Sequence, residues 1–264
     1  MKQSNRWQIH QLLAEQMDER LAFVTAVPQH IALVGADNDI SRQYLAARYP
    51  KAQFHEYDPR ADFLAQAAAQ RHTGFFAKLT GKTVPQSCQS LIEPLPIAWA
   101  DMLWANLSFI TASEPVAVFE NWAQCLRTHG LLFFTHLGGD SLRELRELLA
   151  QQGMAVQTPM LFDMHDLGDM LFHHGFYDPV MDTAKLVLDY HSAERFWQDM
   201  ETLGVWSSLV LDDEAAARAA IHRRLAAGHF SLTLETVFGH AVKKQVLPAG
   251  ESPIQFFPKR KNQE

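Results

Sequence analysis

The stretch His30–Asp39, HIALVGADND, decides the fold. Its first half, HIALV, is a short apolar run that stops at Gly35, and it reads as a buried strand. Behind the glycine, Ala36-Asp37-Asn38-Asp39 leads into a helix over Ser41 to Tyr49, with Pro50 as its stop. Ala52 to Tyr57 reads as a second strand ending in Asp58-Pro59, and Ala61 to Arg71 as an Ala-rich helix. Strand, helix, strand and helix joined by short turns predict a parallel sheet covered by helices. In such a sheet the ligand crevice lies at the C-terminal ends of the strands.

Working outward, Ile9, Leu12, Leu13, Met17 and Leu21 give Trp7 to Val24 helical spacing. Thr73 to Ser90 is irregular. Asp101 to Asn106 (DMLWAN) is a third strand, and Pro115 to Leu126 a helix with Trp122 and Cys125 facing inward. Thr128-His129-Gly130 reads as a turn before the buried strand Leu131 to Thr135. Ser141 to Leu149 is helical, with Ser141 and Glu144 as a capping box. Met164 to His174 is a second helix, stopped by Gly175. Beyond it come a strand over Ala184 to Tyr190, helices over 193–203 and 214–227, and Ser231 to Val242, which alternates with period two. There are no repeats and no long linker. One domain over 1–246 is expected, with a helical cap inserted at about 191–228 and a Pro- and Lys-rich frayed tail at 247–264.

Composition narrows the function. A chain of 264 residues with 47% hydrophobic and 20% charged residues can bury a core, which excludes wholesale disorder. The net charge of −7 argues against a whole-surface nucleic-acid binder. Cys88 and Cys125 form no CxxC pair, which excludes a disulfide scaffold and a thiolate zinc site. The N-terminus MKQSNRWQIHQLL has no secretory apolar region, and no run approaches the ~18 apolar residues of a membrane span. A cytoplasmic protein with no membrane partner is the expectation.

The Gly35 joint is the place for chemistry, because a loop of this kind approaches a bound nucleoside closely. A pyrophosphate there would face the charges of Asp37 and Asp39, so a cofactor without phosphate suits it better. Asp58, at the end of the second strand, is placed to accept hydrogen bonds from ribose hydroxyls. It reads equally as a helix N-terminal acid before Pro59. Gly81-Lys82-Thr83 imitates a phosphate loop, but the glycine needed five residues earlier is Phe76. His165, His173 and His174 lack metal-site spacing and read as helix-surface histidines, so no metal is expected. Asp166 and Asp169 read as first-turn acids. Trp99, Trp104, Phe109 and Trp122 read as core rather than a base-stacking platform. Arg143 and Arg146 read as an ion-paired helix face, or as a patch for an acidic partner.

Five segments carry a family resemblance: Leu95-Pro96-Ile97, DMLWANLSF at 101–109, GGDSLRELREL at 138–148, DMHDLGDMLFHHGFYDPVMD at 163–182 and LETVFGHAVKK at 234–244. Together they are similar to the class I S-adenosylmethionine methyltransferases. More narrowly, the last three resemble the malonyl-acyl-carrier-protein O-methyltransferases of biotin synthesis. The resemblance implies a Rossmann-like α/β fold: a seven-stranded, mostly parallel sheet with an antiparallel last strand and helices on both faces. It implies S-adenosylmethionine as cofactor and malonyl-acyl carrier protein as substrate and partner. Gly35, with Ala36 and Asp37, matches the cofactor loop, Asp58 the ribose acid, Asn106 the pocket floor, and Leu95 beside Pro96 the adenine contact. No proton-transfer residue is implied, because a carboxylate is already ionised at pH 7. The departures are concentrated at the same place. Leu33 stands for an acid in the first strand, Asp37 and Asp39 for two loop glycines, and Leu91 for an acid beside the adenine. Gln3 and Ser4 stand where the family carries a Tyr-Asp pair. Asp37 and Asp39 would crowd the methionyl moiety, unless Asp37 bonds its ammonium group. The runner-up expectation is therefore a catalytically inactive relative that serves as a binding or assembly partner. Arg143, Arg146, Arg223, Arg224, Lys243 and Lys244 are the cations available to an acidic carrier.

Overall fold

Side chains alternate across β1 (His30–Val34) into two apolar layers, as a strand buried on both faces requires. Ile31 and Leu33 face one layer, and Ala32 and Val34 the other. The computed structural model describes residues 5–72 and 84–245. β1 runs parallel to β2 (Gln53–Asp58) and to β4 (Ala100–Asn106). β3 (Gln86–Cys88) lies beyond β2, and β5 (Leu126–Leu137) beyond β4, both parallel. β9 (Phe230–Lys243) then runs antiparallel between β5 and β7 (Phe176–Tyr190). The seven strands are ordered β3-β2-β1-β4-β5-β9-β7. β6 (Val156–Gln157) and β8 (Val210–Leu211) form a separate two-stranded ladder.

On the Ile31 face lie α1 (Gln8–Arg20), α2 (Ile40–Arg48) and α5 (Arg143–Ala150). So do α7 (Ala193–Leu203), the short α8 (Val205–Ser208) and α9 (Glu214–Ala226). On the Ala32 face lie α4 (Pro115–Cys125) and α6 (Met164–His173), with Phe109, Phe119, Trp122 and Phe134 fully buried between them and the sheet. α3 (Ala61–His72) flanks the β2 edge, and Phe63 and Leu64 pack with Trp7 and Ala36. The expected α/β sheet with a reversed strand and helices on both faces is the observed one. Of the expected core aromatics, Trp104, Phe109 and Trp122 are at most 1% exposed, whereas Trp99 is only partly buried and packs against the edge of the Ala32 layer.

Four expectations are corrected. The capping box does not form: Ser141 Oγ donates to the Glu235 carbonyl and accepts from the Glu235 N–H. Glu144 likewise accepts from Thr233 N–H and Oγ1, so both side chains bind β9 rather than their own helix. Thr128-His129-Gly130 lies inside the bounds of β5. It is a bulge with His129 at φ +64°, where the register against β4 shifts between Ala100 and Met102. β7 begins at Phe176 rather than Ala184, directly after Gly175 (φ +101°), because its first half pairs with the end of β9 across a bulge at Tyr177/Val180. β3 emerges from the stretch read as irregular, at Gln86–Cys88. Gly81-Lys82-Thr83, Gln3, Ser4 and the 247–264 tail lie outside the described residues.

Candidate active site

The joint after β1 packs directly on the joint after β4. Gly35 sits at φ +95°, and a Cβ placed on it would stand 2.6 Å from Ser108 Cβ. Any side chain at 35 would force the two joints apart. Asn38 and Asp39 follow with φ of 60° and 70°, the left-handed region that Asn and Asp tolerate.

The two acids of the loop, Asp37 and Asp39, both turn inward. Asp37 is 2% exposed. Its Oδ2 accepts from Ser41 Oγ at 2.5 Å and Asn106 Nδ2 at 3.1 Å, and its Oδ1 accepts from the Ser41 N–H at 3.1 Å. Burial pushes its carboxyl above the usual carboxylate range. Ser41 Oγ also takes the Trp104 indole N–H at 2.8 Å. Asp39 is 1% exposed, and pairs with Arg42 and Arg71, each at 2.5 Å. Arg71 reaches on to the buried Glu56 at 2.5 Å, so one guanidinium from α3 holds two carboxylates.

Asn106 bridges α1 and the sheet. It donates to the His10 carbonyl at 2.9 Å and accepts from Thr135 Oγ1 at 2.8 Å. His10 is 2% exposed, and burial, then the charges of Arg60 and Arg6, push its imidazole down to about 3. Asp58 accepts from the Ala36 N–H at 2.7 Å, which ties β2 to the β1 joint. Its remaining contacts all go to Arg60: backbone N–H at 2.7 Å, Nε at 2.9 Å and Nη2 at 2.8 Å. These contacts place the Asp58 carboxylate just before α3, on the residue that leads into the helix. Leu95 is buried on the other layer, its N–H donated to Asn121 Oδ1 at 2.9 Å. Asn121 also holds the carbonyls of Leu91 and Glu93, each at 2.8 Å. Gly35, Ala36, Asp37, Asp58 and Asn106 are therefore brought together, and Leu95 sits apart from that cluster's hydrogen bonds.

Sequence reasoning missed four participants. Arg60, just before the Ala-rich helix, and Arg71, within it, are ordinary cations until tertiary packing turns them back on β2 and the β1 joint. His10 is one polar residue on an amphipathic helix. Ser108 belongs to a quoted segment, but nothing local signals its contact with Gly35. Elsewhere, His165 bonds Asp163 at 2.7 Å and His174 bonds Glu120 at 2.9 Å. Arg146 donates to the carbonyls of Gly139 and Ser141 and serves the β5–α5 joint, while Arg143 stands 3.9 Å from Glu147. Lys244 binds the Phe172 carbonyl and lies over its ring. Among the described residues no helix is long and apolar enough to cross a membrane.

The sheet order and the joint after β1 define a class I methyltransferase fold. A phosphoethanolamine N-methyltransferase 2 from Haemonchus contortus, solved with S-adenosyl-L-methionine, superposes with TM-score 0.55. It is 14% identical, over 89% of this chain and 53% of that one. The (4+2)-cyclase SpnF superposes equally, at 0.55 and 18% identity over 89% of this chain and 80% of its own, so the fold alone does not select the reaction. Sequence narrows it. The malonyl-(acyl-carrier protein) O-methyltransferase of Laribacter hongkongensis is 31% identical over 93% of this chain and 88% of its own length. The chain belongs to the malonyl-(acyl-carrier protein) O-methyltransferase family. No family model matches it.

Proposed function

We propose that the chain methylates the free carboxylate of a malonyl group carried on acyl carrier protein, in biotin synthesis, with S-adenosylmethionine as the methyl donor. The observation that carries this reading is 31% identity sustained over 93% of the chain. A malonyl carboxylate is ionised at neutral pH, so its attacking oxygen needs no base. In this reading residues 1–246 form the methyltransferase domain, with a cap over about 191–228. Gly35, Ala36, Asp37, Asp58, Leu95 and Asn106 line the cofactor side.

In the conformation described, those residues do not fit the cofactor. The acceptors of Asp58 are all engaged, the Gly35 joint touches Ser108, and Asp37 is bonded within the protein. One open space lies between α1, the end of β7 and α7: a cavity of about 420 Å³ walled by Ile9, Leu12, Leu186 and Leu188, with Asp189, Arg195 and Asp199 at its polar side. Arg195 is already paired there with Asp199 at 2.8 Å and donates to the Asn5 carbonyl at 3.0 Å, so the apolar wall suits the acyl chain rather than its terminal carboxylate. For an acidic carrier the exposed pair Arg223 and Arg224 is the candidate contact; among the described residues Arg223 bonds the Gln152 side-chain oxygen alone, at 3.2 Å.

The test is incubation with malonyl-acyl carrier protein and S-adenosylmethionine, read by intact mass. The expected result is a carrier heavier by one methyl ester, and an unchanged carrier overturns the proposal. The filled crevice favours one other reading, a relative that binds the carrier without turnover. That reading expects carrier association in the same mixture with no gain in mass.

A further inference from the structure

The crevice is closed by a side chain that the methyltransferase reading does not require. A carboxylate offers about four acceptor positions. On Asp58, whose side chain has no exposure, two go to the backbone N–H groups of Ala36 and Arg60 and two to the Arg60 guanidinium. The backbone pair belongs to the fold, because it fixes the β1 joint and the start of α3. The guanidinium pair does not. It hangs on a flexible stem, is 31% exposed, and rests against a buried ring and a helix-end carbonyl. Its carbon lies 3.8 Å from the Phe63 ring centre, and Nη1 stands 3.4 Å from the Thr202 carbonyl at the end of α7. Arg6 closes over the same place, bonding Thr202 Oγ1 at 2.9 Å and facing Phe63 at 5.2 Å.

Two buried polar atoms lie beside the same place. A settled polar interior pairs its buried groups. Here His10 Nδ1 and Ser108 Oγ are both buried without a hydrogen-bond partner, one on the helix held by Asn106 and the other against Gly35.

We propose that Arg60 is an internal occupant of the cofactor crevice: its guanidinium takes on Asp58 the place of a ribose diol, and a nucleoside cofactor binds only once Arg60 has swung away. The inference rests on the methyltransferase reading above, which supplies the role of Asp58. Displacement exchanges a bidentate ion pair for a diol hydrogen-bonded to the same oxygens, and frees the guanidinium to solvent. It also lets α7 part from α3, because Arg60 is one of the groups that join them.

The test is calorimetric titration of the full chain with S-adenosylhomocysteine, with adenosine as a second probe. The native chain, Arg60→Ala and Arg60→Leu are compared; the leucine keeps apolar cover on Phe63 should the alanine variant fold poorly. The expected result is at least tenfold tighter binding of S-adenosylhomocysteine by the Arg60 variants, a gain abolished by adding Asp58→Asn. Equal affinity of native and variant chains overturns the occupant role and leaves the methyltransferase reading standing. Absence of binding to every chain at millimolar ligand overturns both.

Discussion

His136 shows how a single residue can carry a pH dependence. It lies on β5, stacked on Phe109 at 4.0 Å and on Phe162 at 5.6 Å, and its Nε2 donates to the Met160 carbonyl at 2.8 Å. Burial pushes its imidazole down to about 4. An unfolded histidine titrates near 6.5, so between about 6.5 and 4 the unfolded chain holds a proton that the folded chain refuses. Stability is therefore lost as pH falls through that window, by about 2 kcal/mol between pH 7 and 5 for this one residue. His136→Phe keeps the stack and removes the proton. Urea unfolding at the two pH values should show the variant losing about 2 kcal/mol less than the native chain. His10 still contributes its own acid sensitivity in both. An identical loss in the two chains would remove His136 as the cause. Nothing around His136 in sequence announces this, because its partners Phe109, Met160 and Phe162 lie 24 or more residues away. The same holds for Arg60. Its grip on Asp58 is an i,i+2 contact, near enough to be guessed, but the choice between solvent and carboxylate is made by Phe63 and the distant Thr202.

At the scale of the element, α3 is held to the sheet by charge as much as by apolar contact. Arg71 spans Asp39 of the β1 joint and Glu56 of β2, with both carboxylates buried. Breaking a buried pair from one side leaves uncompensated charge and costs about 3–5 kcal/mol. Arg71→Met should therefore destabilise by about 3 kcal/mol, seen as a lower urea midpoint with little change in slope. Restoration on replacing Asp39 and Glu56 by their amides would tie the loss to the stranded carboxylates, and a loss below about 0.5 kcal/mol would make the bridge ornamental. The elements themselves were legible. HIALV, DMLWAN and the alternating Ser231–Val242 run are strands as their patterns require, and most helix ends fall within two residues of their signals. What the pattern did not carry was the use of polar residues across elements. Ser141 and Glu144 have capping-box spacing, yet β9 offered them the Glu235 and Thr233 backbones, and that tertiary pairing prevailed. Asp37 and Asp39 looked like intrusions into a cofactor loop. Their partners Asn106 and Arg71, far along the chain, make them part of the interior.

Across the whole molecule, one apolar layer joins the sheet to α1 and to the helices α7 and α9, where a cap is proposed. Leu33, Trp104 and Phe133 from the sheet share a continuous cluster with Leu13 of α1, Phe196 of α7 and Ile221 of α9. A cap with its own core could melt separately, but this one has its buried face on the sheet. Calorimetry should therefore show one cooperative transition, with calorimetric and van't Hoff enthalpies in agreement, and a separate early transition would show the cap to be independent. The strand number and the reversed last strand were readable from the family resemblance, but the order was not, because neither strand pattern nor loop length says that β9 enters between β5 and β7.

That insertion sets a rule for the assembling chain. β5 and β7 have no ladder to each other, and both wait for the segment 230–243, almost the last described residues to be made. A polypeptide ending short of it would hold two long strands with bare amides and carbonyls, the template on which chains stack into aggregates. A premature stop late in the reading frame would thus yield a sticky product, not a smaller working one.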